Sequence, residues 1–215
     1  RNDLMAEVVI IDYGMGNIHS VYKSILKVID KNSTVRVSSS LKDIKKCSHI
    51  VFPGQGAASE CMNNIEKYLD LEDLKNLIRQ KTFLGICMGL QVLMSQSEEN
   101  NGTNCLGIID GPVTELKNKI NDSLKIPHMG WNKVNQNQKH PVWEKISDES
   151  FFYFVHSYVV QPLKKNEILS TTKYGINFTS AVSKDNLVAV QFHPEKSSNS
   201  GLKLLENFVN WDGIV

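Results

Sequence analysis

Thr82-Phe83-Leu84-Gly85-Ile86-Cys87-Met88-Gly89 is the stretch whose reading decides the fold. Residues 82–86 form a short apolar run of strand character, which enters Cys87 and a helical pattern from Gly89 to about Gln96 with no polar loop between. A sharp strand-to-helix turn of the form G-x-C-x-G forces its central residue into a strained backbone. Side chains two positions to either side would strike neighbouring strands, so Gly85 and Gly89 have a steric reason to be glycine. The thiol is then presented at the carboxyl edge of a sheet, where the positive end of the following helix is expected to favour thiolate.

The same strand-then-helix rhythm precedes this turn. Residues 7–12 are a β-branched run that ends in Tyr13-Gly14-Met15-Gly16-Asn17. Ile18, Val21, Ile25, Val28 and Ile29 then recur at spacings of three and four, which puts them on one helical face with Lys23, Lys27 and Lys31 outside. Residues 34–37 and 49–52 read as further strands, the second stopped by Pro53-Gly54-Gln55-Gly56, and helical patterning fills residues 57–80 in two pieces broken near Asp70. Strands alternating with helices imply a parallel sheet covered on both faces.

From Gly107 the rhythm changes. Residues 108–116, 133–135, 151–160, 168–172 and 178–182 are strand-like with no long helices between them, which predicts antiparallel strands added to the first sheet or packed beside it. Residues 187–192 make a last core strand, followed by His193-Pro194-Glu195 and a closing helix over 201–211 with Leu204, Leu205 and Phe208 inward. The expected class is α/β: a mostly parallel central sheet flanked by helices, with additional antiparallel strands. A length of 215 residues suits one domain, expected over residues 5–215. Met5 before a strand-like run makes residues 1–4 an expected remnant of expression.

Composition narrows the function classes. With 24 basic and 23 acidic residues the net charge is +1, which gives no general attraction to nucleic acid or to an anionic membrane. Only Arg1, Arg36 and Arg79 are arginines, so planar forks for bidentate phosphate recognition are scarce. The cysteines at 47, 61, 87 and 105 form no CxxC pair and no zinc-ligand spacing, so neither a disulfide framework nor a metal or other cofactor is expected. No apolar run reaches membrane-spanning length, which leads to the expectation of a soluble cytoplasmic protein with reduced thiols.

A cysteine nucleophile needs a base. His193 ends the last predicted strand, and a parallel sheet brings that end to the edge that holds Cys87. Glu195, two residues on across Pro194, is placed to orient the imidazole if the segment is stiff and extended. Acyl transfer also needs donors for an oxyanion: the loop around Gly54 and Gly56 offers backbone N–H groups, and Met88 N–H lies just past the nucleophile. His19, His49 and His140 lack such surroundings and read as structural, as do Cys47, Cys61 and Cys105.

A P-G-x-G loop, a G-x-C-x-G elbow and a terminal H-P-E occur here in order, and together they resemble the class I (triad) glutamine amidotransferases. Four further stretches narrow the resemblance to the branch that feeds ammonia to a cyclase of the (β/α)₈-barrel type in histidine biosynthesis: Ile11 to Asn17, Pro127-His128-Met129-Gly130-Trp131-Asn132, Tyr153-Phe154-Val155-His156-Ser157-Tyr158, and Gln191 to Ser197. The resemblance implies a flavodoxin-like fold, a heterodimer with the cyclase, and glutamine as substrate. It implies that Cys87 attacks the side-chain amide, His193 shuttles protons and Glu195 holds His193. By the same resemblance Gly54, Gly56, Gln91, Glu99, Ser157 and Tyr158 bind substrate, with Glu99 meeting the α-ammonium. The peptide of Gln55 would complete the oxyanion hole with Met88. Tyr153 and Lys196 would lie on the ammonia passage, and Asn17 and Trp131 near the subunit contact.

Gln55 departs from the valine usual in that branch, and a paralogous branch supplies ammonia for acetamidino groups on bacterial surface or flagellar sugars. Two other classes also compete. A non-catalytic regulatory subunit would be expected to have lost part of the Cys87, His193 and Glu195 set. A cysteine hydrolase of peptides or esters would need an extended groove in place of an amino-acid pocket. Trp131 and Tyr153 also admit a plainer role as core or interface aromatics, and Tyr13 and Asn17 as turn residues.

Overall fold

In the computed structural model, which describes residues 5–121 and 123–215, the apolar runs of the first half become strands, buried on both faces except at the edge strand Thr34–Ser38. β1 (Glu7–Ile11) lies between β2 (Thr34–Ser38) and β3 (His49–Gly54), β4 (Thr82–Cys87) lies beyond β3, and β13 (Leu187–Val190) beyond β4, all parallel. The order β2-β1-β3-β4-β13 is that of a flavodoxin-like sheet. Successive residues divide between two cores, as a period of two requires: Val9, Ile11, Ile50, Phe52 and Phe83 face one side, Val8, Ile10, Val51, Leu84 and Ile86 the other.

Helices cover both faces. α1 (Ile18–Leu26) and α6 (Ser198–Val209) bury Val21, Ile25, Leu204, Leu205 and Phe208 in one core, while α2 (Leu41–Lys46), α3 (Ala58–Tyr68) and α4 (Leu71–Gln80) close the other with Ile44, Ile65, Leu74 and Ile78. The break at Asp70 is a helix start, its carboxylate accepting Asp73 N–H at 2.9 Å. α2 is unforeseen in the sequence because its six residues bury only Ile44, too little for a helical period to show.

The second half does both things left open by the pattern. β12 (Ile176–Lys184) pairs antiparallel with β13, and the sheet continues through β10 (Tyr158–Val160), β7 (Pro112–Glu115), β5 (Gln96–Ser97) and β6 (Thr103–Asn104). A branch leaves β12 through β11 (Ile168–Tyr174) to β8 (His128–Gln136) and β9 (Ser150–His156). The class is thus α/β, as expected, with several corrected boundaries. The run at 108–116 is a strand only over Pro112–Glu115, because Gly111 bends the chain at φ 133 against the Gln161 backbone. The run at 151–160 breaks at Ser157 into β9 and β10. The first helix stops at Leu26, leaving Val28 and Ile29 half-buried in the following turn. The helix expected from Gly89 to Gln96 is a single turn, α5 (Met88–Gln91).

Candidate active site

Cys87 sits at the end of β4 with φ 56, a positive value that a non-glycine residue holds only when its surroundings enforce it. The surroundings are backbone against backbone. Gly54 of β3 is its register partner, and a Cβ on Gly89 would overlap the Phe52 carbonyl oxygen while one on Gly85 would press on that of Gly89. Because α5 is one turn long, it aligns few peptide dipoles, and the helix-end support for thiolate expected from the sequence is correspondingly small.

The expected base, His193, lies past the end of β13 at Val190, where its N–H donates to Tyr153 O (2.9 Å) and its carbonyl accepts from Ser197 Oγ (2.6 Å). The segment after it is not extended, as the sequence suggested, but a tight turn over Pro194–Lys196 that folds Glu195 back beneath the ring. Glu195 Oε1 lies 2.8 Å from His193 Nδ1, and the two side chains are 1% and 5% exposed. With Nδ1–H held by the carboxylate, Nε2 is left buried without a hydrogen-bond partner. Burial opposes a charge on His193, but Cys87 and Glu195 outweigh it and raise the imidazole pKa well above its ordinary value. An imidazolium held by the Glu195 carboxylate is the form this favours.

Both groups face a cavity of about 740 Å³ at the carboxyl edge of the parallel strands. Gln55, Gly56, Met88, Gln91, Glu99, Ser157, Tyr158 and Lys196 line it, whereas Gly54 lies behind the elbow and is not on the wall. Gln91 Nε2 donates to Gln191 Oε1 (3.0 Å) and Tyr158 O (3.4 Å), and its buried Oε1 has no partner. Glu99 Oε2 accepts Ala58 N–H at 2.7 Å, while burial pushes its carboxyl pKa up against that bond. Glu60 adds a second carboxylate to the wall, unmarked by any sequence motif.

The remaining expected residues lie away from the wall. Asn17 precedes α1 with no side-chain cap bond. Trp131 is 52% exposed and meets half-buried Tyr153 edge-on at 6.2 Å, so it is not a core residue. Lys196 Nζ stands 5.8 Å from the Tyr153 ring centre, and Met129 and Phe151 are exposed on the same two strands.

Two polar groups beside the triad were not singled out by sequence. Gln191 is fully buried and its Nε2 lies 3.7 Å from Cys87 Sγ. His156 lines the cavity, its Nε2 is 2.8 Å from His128 Nδ1, and its Nδ1 is 2.9 Å from Tyr158 O. Burial pushes both imidazoles down, His128 to about 4 and His156 to about 3, so the pair is neutral near pH 7. The Tyr158 carbonyl can only accept, which fixes every proton: His156 Nδ1–H donates to it, and His128 Nδ1–H to His156 Nε2.

Among the described residues no helix is long and apolar enough to cross a membrane, and no group of histidine, cysteine or acidic side chains is arranged to hold a metal ion.

A family model for class-I glutamine amidotransferases matches residues 9–211. Curated relatives include imidazole glycerol phosphate synthase subunit HisH of Hydrogenovibrio crunogenus, 47% identical over 96% of this chain and 97% of its own length. The subunit of the same name from Thiobacillus denitrificans is 47% identical over 97% of this chain and 93% of its own. Among solved structures, a glutamine amidotransferase superposes with TM-score 0.71 at 15% identity, covering 96% of this chain and 99% of that one. The glutaminase domain of Trypanosoma brucei CTPS with bound acivicin superposes with TM-score 0.63 at 17% identity, covering 95% and 92%.

Proposed function

The chain belongs to the class-I glutamine amidotransferase family, and we propose that it serves there as the glutaminase subunit of an imidazole glycerol phosphate synthase, releasing ammonia for a (β/α)₈-barrel cyclase. One observation supports this above the others: Cys87 and the Glu195-held His193 face one cavity, of about 740 Å³, whose wall also carries Gln91 and Glu99.

The proposed chemistry follows from the atoms. The Cys87 proton passes to His193 Nε2, and the sulfur forms a bond to the side-chain carbonyl carbon of glutamine. Charge develops on the carbonyl oxygen, where the Met88 N–H and the Gln55 peptide are the donors proposed. Collapse breaks the C–N bond, and the departing nitrogen takes the proton from His193 to leave as ammonia. Water then attacks the thioester, giving its proton to His193 Nε2. The C–S bond breaks, glutamate leaves, and the proton returns to sulfur. Glu195 holds the ring in the tautomer that serves each step.

Gln91, with its unpartnered Oε1, and Glu99 are proposed to take the ammonium and backbone groups of free glutamine, with Gly56, Ser157 and Tyr158 completing the wall. Gly54 would act by shaping the elbow. The exposed Trp131, with Tyr153, Lys196 and Asn17, is the proposed region of the cyclase contact and ammonia passage. Residues 5–215 are proposed as one cytoplasmic catalytic domain, consistent with the family match over 9–211, one continuous sheet and four free cysteines. The Gln55 carbonyl accepts from Cys61 Sγ at 3.4 Å.

Reconstitution tests the reading. The chain is mixed separately with a histidine-pathway cyclase and with a sugar-pathway synthase, and glutamine-dependent product is measured. The expected result is turnover with the first partner only, and weak glutaminase activity in the isolated chain. Product with the sugar-pathway partner alone would refute the proposed pathway, and equal glutamine hydrolysis with and without cyclase would refute the coupling.

A further inference from the structure

We infer that Gln191 is a further catalytic residue, a fixed carboxamide donor that holds the Cys87 sulfur in its thiolate form and in line for attack. The inference rests on Cys87 being the nucleophile and adds a contact to the reacting atom.

Gln191 has no exposed surface, and a buried carboxamide with one polar end on sulfur has a cost that an apolar residue would avoid. Its orientation is dictated by what surrounds it. The Tyr158 carbonyl accepts only, so the Gln91 atom facing it, 3.4 Å away, is the amide nitrogen. That same nitrogen lies 3.0 Å from Gln191, which must therefore turn its oxygen to Gln91 and its nitrogen to the sulfur, at 3.7 Å. The far side is fixed too, because His156 Nδ1–H grips the Tyr158 carbonyl at 2.9 Å. Meanwhile Gln191 N–H donates to Ser180 O at 2.8 Å, anchoring the residue in the sheet two positions before His193.

The consequence is a second support for the sulfur, set apart from His193. Imidazolium is consumed as proton donor to the leaving nitrogen, whereas a carboxamide N–H exchanges no proton during the cycle and stays as a donor whenever sulfur carries charge. Where α5 is too short to supply an aligned dipole, this single N–H faces the sulfur in its place. Gln91 acquires a second task, since it orients Gln191 as well as lining the cavity.

Alkylation of the full chain by iodoacetamide across a pH series, with peptide mass mapping to separate Cys87 from Cys47, Cys61 and Cys105, tests this without the cyclase. Gln191→Glu keeps an acceptor for Gln91 but replaces the donor on sulfur with an oxygen. Gln191→Met removes both polar ends at similar volume, and circular dichroism checks that each variant is folded. Cys87 alkylation near pH 7 is expected to slow about tenfold in both variants, and its half-maximal pH to rise by about one unit, the loss of one hydrogen bond to a charged atom. Profiles for folded Gln191→Met that coincide with wild type would overturn the role of Gln191, whatever Gln191→Glu does. A wild-type Cys87 no more reactive than a free thiol would instead overturn the nucleophile reading beneath it, so the two failures are distinct.

Discussion

Cys87→Ala is expected to lower glutamine-dependent turnover by the reconstituted complex on the order of 10⁴-fold or more, while turnover supported by added ammonium salts is retained. The size follows from what the sulfur does: no other side chain on the cavity wall is a thiol, so without it neither the thioester nor its hydrolysis has a route. Alanine removes one atom from a buried turn whose backbone is set by Gly54, Gly85 and Gly89, so the fold and the cyclase contact persist. Parallel assays with glutamine and with ammonium, read as imidazole product, check this. Full glutamine turnover in Cys87→Ala would refute the assignment, and loss of both activities would place the effect in assembly.

Gly89→Ala is expected to destabilise the protein by about 3 kcal/mol or more, toward the severe end for an added methyl in a packed interior. The methyl would occupy the position of the Phe52 carbonyl oxygen, and that oxygen belongs to the middle of the parallel sheet, where Phe52 packs on Tyr13 with ring centres 4.7 Å apart. Neither partner can yield separately. Moving the Phe52 carbonyl shifts Gly54 and the Tyr13 hydroxyl bonded to Pro53 O at 2.8 Å, whereas moving Met88 and Gly89 displaces Cys87. Urea unfolding of Gly89→Ala and wild type measures the difference; equal midpoints at equal slope would show that the elbow tolerates a side chain. Gly107→Ala is the control, because a Cβ there meets nothing within 4 Å, although its φ of 65 still carries some strain.

Apart from α2 and the end of α1, residues 7–91 were legible because two local constraints agreed: alternating burial in the strands and glycines where chain meets chain. Beyond Gln91 that agreement ends. Leu90, Val92, Leu93 and Met94 are all fully buried, so their apolar run has no polar face from which to read a period, and a one-turn helix with an irregular return looks like a longer helix. The antiparallel half was legible as strands but not in its boundaries, because breaks such as Ser157 and Gly111 are fixed by partner strands distant in sequence. The meeting of Cys87 with His193 at one cavity, and of His193 with Glu195, could be read from spacing and strand ends. Gln191 and the His128–His156 pair could not, since a single buried polar residue has meaning only beside the atom it contacts. The support expected from a helix dipole was misplaced for the same reason: length in space, not the motif, decides its strength.

Acid-quenched peptide mapping is the most direct probe of the sulfur's role. The complex is mixed with glutamine, stopped in acid within a turnover, digested, and weighed peptide by peptide. A glutamyl group, the mass of glutamine less ammonia, should appear on the peptide that holds Cys87 and nowhere else. Glutamate accumulating with Cys87 unmodified at every quench time, or a glutamyl group carried by Cys105, would contradict it.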